Sequence, residues 1–204
     1  DNVEGIGIGA PNGNYYQGTI EGAANLPWGK GVVHLRDYIA KKTGKPVTVT
    51  NDANAAAIGE MHYGNAKGMT NFIEITLGTG VGSGIVVNGQ MVYGHDGFAG
   101  ELGHTCAVRY NGRQCNCGKV GCLETYASAI GVARTAREWL DMSDEPSLLR
   151  SLEVISSKDV YDAAIAGDSI AKKVFEFTGQ KLGESFSDFV AFSRPEAIIL
   201  FGGL

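Results

Sequence analysis

No stretch of this 204-residue chain approaches the roughly 20 consecutive apolar residues of a membrane-spanning helix, so none of it reads as such a helix. Positive charge is also scarce. Seventeen Lys and Arg stand against 22 Asp and Glu, and the net charge of −5 argues against a general nucleic-acid surface. No signal-peptide pattern is present, so a cytoplasmic location is the expectation. Internal repeats and low-complexity tracts are missing too. The 30 glycines fall at turns between apolar runs, so they imply neither a collagen-like rod nor a flexible linker. None of the Gly-Lys pairs is followed by Ser or Thr, which removes a Walker phosphate loop. What is left, 44% hydrophobic and 19% charged, is the composition of a soluble globular protein with one large or two small domains.

Against this background the stretch from Glu101 to Glu124 stands out. It holds His104, Cys115, Cys117 and Cys122 at metal-ligand spacing, with a carboxylate at either end. Tetrahedral zinc favours thiolate and imidazole donors, and Gly118 and Gly121 allow the tight turns that bring the ligands together. Three thiolates and one neutral imidazole close the shell, which is the pattern of a structural site; a catalytic zinc keeps a position open. Two disulfides among the four cysteines are the alternative, but the single residue between Cys115 and Cys117 makes that pairing awkward. Cys106 is left over and reads as a small buried residue.

Periodicity gives the elements. Val3 to Ala10 reads as a buried strand stopped by Pro11-Asn12-Gly13. Val32, Leu35 and Ile39 recur at helical spacing with Gly44 as the stop, and Pro46 to Thr50 is a short β-branched strand. Asn54 to Tyr63 is a helix ended by Gly64. Strands follow at Asn71 to Leu77, Gly84 to Asn88 and Gln90 to Tyr93, with Asn88-Gly89 as a hairpin turn. Beyond the cysteines, Leu123 to Leu140 reads as one helix and Asp141 to Ser157 as a polar loop. Asp168 to about Phe192 is a long amphipathic helix, and Glu196 to Phe201 a strand. The mixture indicates an α/β fold. His34, His62 and His95 lack partners at ligand spacing, Trp139 reads as helix packing, and Arg134 with Arg137 reads as a solvated face.

The run Gly78-Thr79-Gly80-Val81-Gly82-Ser83-Gly84 offers backbone amides that can approach phosphates closely. Strands on both sides disfavour a Rossmann fingerprint and leave a hairpin, for which an ordinary β-turn is the plain alternative.

Together, Glu101-Leu102-Gly103-His104 followed by Cys115-x-Cys117-Gly-x-x-Gly-Cys122-x-Glu124 resembles the signature of the ROK family of bacterial sugar kinases and sugar-responsive repressors. The resemblance extends to Gly9-Ala10-Pro11, Asn51 to Ala55 and Leu77 to Gly82, and so covers nearly the whole chain. Asn25-Leu26-Pro27-Trp28 and the full zinc loop are most similar to the family's glucokinases. Family kinases begin with an Asp-x-Gly-Gly-Thr phosphate hairpin that is not found here, so the expectation is a fragment.

The resemblance implies an actin-like ATPase and sugar-kinase (ribonuclease H-like) fold of two domains with a cleft. Residues 1–66 would be part of a small domain and 67–204 a large one, hinged near Gly64 to Gly68, with the zinc loop at 104–122. It implies ATP-dependent phosphorylation of glucose at the 6-hydroxyl, with Asp52 as general base and Mg²⁺ on the nucleotide. Asn12, Asn25, Asn51, Asp52, Glu101, His104 and Glu124 would bind the sugar. Gly78, Thr79, Gly80, Gly202 and Gly203 would bind the nucleotide. His104 would use one ring nitrogen for zinc and the other for a sugar hydroxyl. Trp28 is either a pocket wall or a loop anchor. A capping role for Asn51 or Asp52 is compatible with chemistry there. The resemblance also implies a homodimer whose partners are glucose and ATP, not a membrane or a nucleic acid. The alternative is the sugar-sensing domain of a ROK repressor. A zinc-ribbon nucleic-acid module is disfavoured by the acidic balance.

Overall fold

The structure is a computed structural model that describes residues 2–23, 26–27 and 31–203. Asn25 and Trp28 lie outside the described residues. By contacts the chain divides into two compact units. The first comprises Asp1–Glu74, Ser83–Glu101 and Pro195–Ile199; the second comprises Ile75–Gly82, Leu102–Arg194 and Leu200–Leu204.

In the first unit β1 (Ile6–Ala10) pairs in parallel with β5 (Val47–Asn51), in a register that sets Ala10 opposite Asn51. Between them in sequence lie a small antiparallel sheet, β2 (Gly13–Asn14), β3 (Thr19–Glu21) and β4 (Val32–Val33), and helix α1 (Leu35–Thr43). Gly44 ends α1 in the left-handed conformation (φ 66°), as its sequence position implies. Val32, expected on that helix, instead belongs to β4, because α1 starts only after His34. Helix α2 (Asp52–Tyr63) begins two residues before its expected start, directly at the end of β5.

A third sheet has the strand order β8 (Gln90–Met91), β7 (Val81–Val87), β6 (Phe72–Leu77), β9 (Ala197–Gly202). Asn88 and Gly89 both take positive φ, the geometry of a tight two-residue hairpin. Within the first unit Ala57, Ala66, Phe72 and Val86 form a core. Gly84 of β7 has no room for a side chain there, since a Cβ would lie 2.5 Å from that of Ala57.

The second unit is mainly helical. The expected single helix from Leu123 to Leu140 is two: α3 (Glu124–Ala127) and α4 (Ala129–Asp141). Ser128 breaks them with an extended backbone (φ −83°, ψ 167°) and caps α4, its hydroxyl accepting from the Gly131 amide. Helix α5 (Ser157–Ile165) follows the expected polar loop, which itself contains a 3-10 turn at Leu148–Ser151. Helix α6 (Ser169–Ser193) matches the long amphipathic helix. Val132, Ala136 and Leu140 of α4 face Val160 and Ala163 of α5 and Ile170, Ala171 and Val174 of α6 in one core, each large side chain contributing roughly 1.5–3 kcal/mol. Trp139 packs against this core, as its place on the helix implies.

Candidate functional site

In the first unit the candidate chemistry sits where β5 becomes α2. Asn51 keeps a strand backbone (φ −61°, ψ 146°) and caps the helix, its Oδ1 accepting from the Ala53 amide at 2.8 Å. Asp52 Oδ1 accepts from the same amide at 2.9 Å, which fixes one carboxylate oxygen while the residue stays exposed. Asn51 and Asp52 thus share the first free amide of the helix. Gly13 lets the following loop pass over β5, because a Cβ there would strike the Thr50 carbonyl at 2.2 Å. Asn12, at left-handed φ, spends its amide nitrogen on the Glu21 carbonyl. Glu101 is exposed.

Sequence reasoning overlooked Asn14, which is buried in this unit. Its amide donates to the Asp96 carbonyl and its Oδ1 accepts from the Tyr16 and Gln17 amides. Tyr93 was overlooked too. It stacks on Tyr15 at 4.1 Å between ring centroids, and burial pushes its hydroxyl above the ordinary tyrosine value against the pull of the Thr50 side chain. Alternating polar residues carry no long-range signal, so neither contact was readable.

In the second unit the four expected ligands converge: one donor atom each from His104, Cys115, Cys117 and Cys122 lies within 4.8 Å of the others. Cys117 Sγ is 3.6 Å from Cys122 Sγ, and Cys115 Sγ is 3.6 Å from His104 Nδ1. A tetrahedral zinc with bonds of about 2.3 Å to sulfur sets its ligands about 3.8 Å apart, so the donors fit the metal. All four cysteines are free, and 3.6 Å between sulfurs is not a disulfide. Cys106 corrects its expectation: it is exposed, and it lies outside the cluster.

Gly118 (φ 92°) and Gly121 (φ 83°) make the turns, and a Cβ on Gly121 would lie 1.9 Å from the Val108 carbonyl. Burial pushes the Cys122 thiol up to about 12 and raises Cys115 as well. Cys117 is exposed and, despite some burial cost, is lowered by the Lys119 amide and neighbouring sulfurs. Arg113, two residues before the first thiol, is buried against the Tyr126 ring and donates to the Thr125 and Gly131 carbonyls and to Glu138. It ties the loop to α3 and α4.

The glycine hairpin lies in the same unit. Gly78 N–H donates to the Gly80 carbonyl, and the Gly78 carbonyl accepts from Ala129 at the start of α4. The Val81 amide donates to Glu124 Oε2 at 3.0 Å. Thr79 borders a hollow of about 530 Å³ whose walls include Ile130, Ala133, Arg134, Arg137 and Ser156. Arg134 and Arg137 are both exposed, as expected of a solvated face, and there Arg134 pairs with Glu138 and Arg137 donates to the Glu153 carbonyl. Gly202 ends β9 at φ 130°, where a Cβ would meet the Leu77 carbonyl at 2.1 Å. Gly203 follows it and is exposed.

Within the second unit the Gly78–Gly80 turn, Glu124 and the four metal donors adjoin one another, Glu124 taking the Val81 amide with one oxygen and lying 3.9 Å from Cys115 Sγ with the other. A glucokinase of Halalkalibacterium halodurans is 43% identical over 98% of this chain, which spans 61% of that relative. The solved structure of a ROK family glucokinase from Streptomyces griseus, in complex with glucose and AMPPNP, superposes with a TM-score of 0.84 at 35% identity, covering 99% of this chain and 66% of that one. A ROK family transcriptional regulator, described as a homolog of the E. coli MLC protein, gives a TM-score of 0.86 at 34% identity over 98% of this chain and 50% of its own. The ROK family profile matches residues 1–204, and the chain belongs to the ROK family.

Proposed function

We propose that this chain is the larger part of an ATP-dependent hexose kinase that phosphorylates glucose at the 6-hydroxyl. The observation that carries the reading is the glycine hairpin. Gly78 to Val81 is braced by Ala129 and Glu124 and opens beside a hollow large enough for a nucleoside, features that a pure sugar sensor need not keep.

Asp52 accepts the proton of the attacking hydroxyl. One of its oxygens is held by the Ala53 amide, so the other is left in a defined direction. In the loose transition state usual for phosphoryl transfer a carboxylate of ordinary basicity suffices. Asn51, Asn12, Asn25, Glu101, His104 and Glu124 bind the sugar's hydroxyls, carboxylates being suited to vicinal pairs of donors. Gly78, Thr79 and Gly80 approach the phosphates, and Gly202 and Gly203 the nucleoside. Mg²⁺ arriving with ATP supplies charge neutralisation.

His104 turns Nδ1 toward Cys115, so Nε2 is the nitrogen for a sugar hydroxyl, and zinc held by His104, Cys115, Cys117 and Cys122 fixes that ring. By the family resemblance residues 1–66 are part of a small domain and 67–204 of a large one of the actin-like architecture, whereas by contacts residues 67–74, 83–101 and 195–199 group with the first unit. The cytoplasmic location and homodimer rest on the family resemblance. Steady-state assay of the full-length protein with glucose and ATP tests the reading, and failure to phosphorylate any hexose overturns it. The likeness to a transcriptional regulator supports the second reading, a sugar-responsive repressor domain, for which sugar binding without turnover is the expected result.

A further inference from the structure

Glu124 stands between three features of the second unit. Its Oε2 accepts from the Val81 amide at 3.0 Å, at the end of the Gly78–Gly80 turn. Its Oε1 lies 3.9 Å from the zinc ligand Cys115 Sγ. The side chain starts at the first residue of α3, two positions after Cys122. A carboxylate offers about four lone-pair sites, and the hairpin takes one, so the same group has capacity left for hydroxyl donors.

Gly80 shows how close the contact is. A Cβ there would lie 2.5 Å from Glu124 Oε2 and 3.4 Å from its Cδ, with no other atom within 4 Å. Gly80 does not have positive φ, so the missing side chain is not a backbone requirement. The position makes room for the carboxylate and for nothing else. The Val81 amide is moreover a hairpin N–H, part of the same backbone whose neighbouring amides face the phosphates in the proposed reaction.

We propose that Glu124, besides binding sugar, is a positioning residue for the phosphate hairpin, so that sugar occupancy and nucleotide affinity are coupled through its bond to the Val81 amide. This rests on the kinase reading above. Without sugar, the carboxylate can exchange Val81 for water, and the hairpin is then held from α4 alone, by the Ala129 amide on the Gly78 carbonyl. Sugar hydroxyls fix the carboxylate, which fixes the Val81 amide, and the coupling is reciprocal by thermodynamic necessity.

The test uses full-length, zinc-loaded protein and two variants, with AMPPNP and glucose titrated calorimetrically, each alone and with the other saturating. In the wild type, glucose is expected to tighten AMPPNP by about 5-fold or more, within the usual range for coupled sites. Gly80→Ala adds a methyl that displaces only the flexible end of Glu124. Its coupling is expected to fall below about 2-fold while zinc content is unchanged; because the displaced carboxylate also faces the sugar and Gly80 the phosphates, the affinities for glucose and AMPPNP taken singly serve as the baseline from which coupling is calculated. Glu124→Gln keeps an oxygen acceptor for Val81 but presents a donor to the sugar. It should weaken glucose by about 10-fold or more while preserving the coupling at saturating glucose. Undiminished coupling in Gly80→Ala, or its absence in the wild type, overturns the proposal. ATP-dependent glucose phosphorylation by the wild type is recorded alongside: its absence sinks the kinase reading, whereas turnover with undiminished coupling in Gly80→Ala sinks only the role of Glu124.

Discussion

Glu74 is fully buried on β6, and neither carboxylate oxygen has a hydrogen-bond partner among the described residues. Burial, reinforced by the nearby Glu60, raises it from an ordinary 4.5 to about 7. Because the folded value lies above the unfolded one, the protonated form is favoured by folding. The associated stability is complete below the unfolded value and is lost as pH rises through about 7. Glu74→Gln, neutral at every pH, should therefore be closest to wild type in thermal unfolding at pH 5. At pH 8.5 it should be more stable by up to about 3 kcal/mol. Equal differences at both pH values would show that Glu74 does not titrate in this range. Asp52 is a contrasting carboxylate, exposed and held by a single amide. In the full-length protein Asp52→Asn keeps the shape and removes the proton acceptor, so kcat should fall by about 10²–10⁴-fold with little change in glucose affinity. Near wild-type turnover in that variant would remove Asp52 as the base.

At the scale of elements, the loop of His104 and the three cysteines was the part most readable from sequence, because four candidate ligands and two turn glycines leave few ways to fold 19 residues. His104, Cys115, Cys117 and Cys122 lie together as their spacing implied, and Gly118 and Gly121 take the positive φ expected of them. Cys117→Ser should lower zinc from about one per chain in elemental analysis and weaken glucose binding, because the loop also orients His104. Unchanged glucose affinity in a zinc-depleted variant would separate the loop from the sugar. The two short helices replacing one long one were harder to read. Apolar spacing continues across Ser128, and the break is enforced from elsewhere in the chain, by the Gly78 carbonyl taking the Ala129 amide. The signal that was present, a serine able to cap at Ser128, was outweighed by periodicity. Helix α5 was missed although Ser156 and Asp159 form a reciprocal capping box, because Asp in place of Glu or Gln weakens the pattern. The strand β7 begins inside the glycine run, at Val81, since cross-strand pairing overrides glycine's poor strand preference.

At the scale of the molecule, the separation of contents between the two units makes a distinction that single substitutions do not. The four candidate metal donors, the glycine turn Gly78–Gly80 and Glu124 belong to the second unit, whose core of α4, α5 and α6 is internal to it. Asp52 and Asn51 belong to the first. The chain spans 61% of the glucokinase it matches at 43% identity, so a polypeptide of these 204 residues is expected to hold the metal without completing the reaction. Produced alone, it should bind about one zinc per chain, because the closed shell needs no ligand from elsewhere. It should fail to phosphorylate glucose at the 1–100 s⁻¹ usual for kinases, because in the family resemblance an N-terminal phosphate hairpin is also required. Elemental analysis and a coupled assay on the same preparation decide both points. Turnover in that range would show that the hairpin at Gly78 to Gly80 suffices for nucleotide binding, whereas folded protein without metal would show that the cysteines serve another purpose.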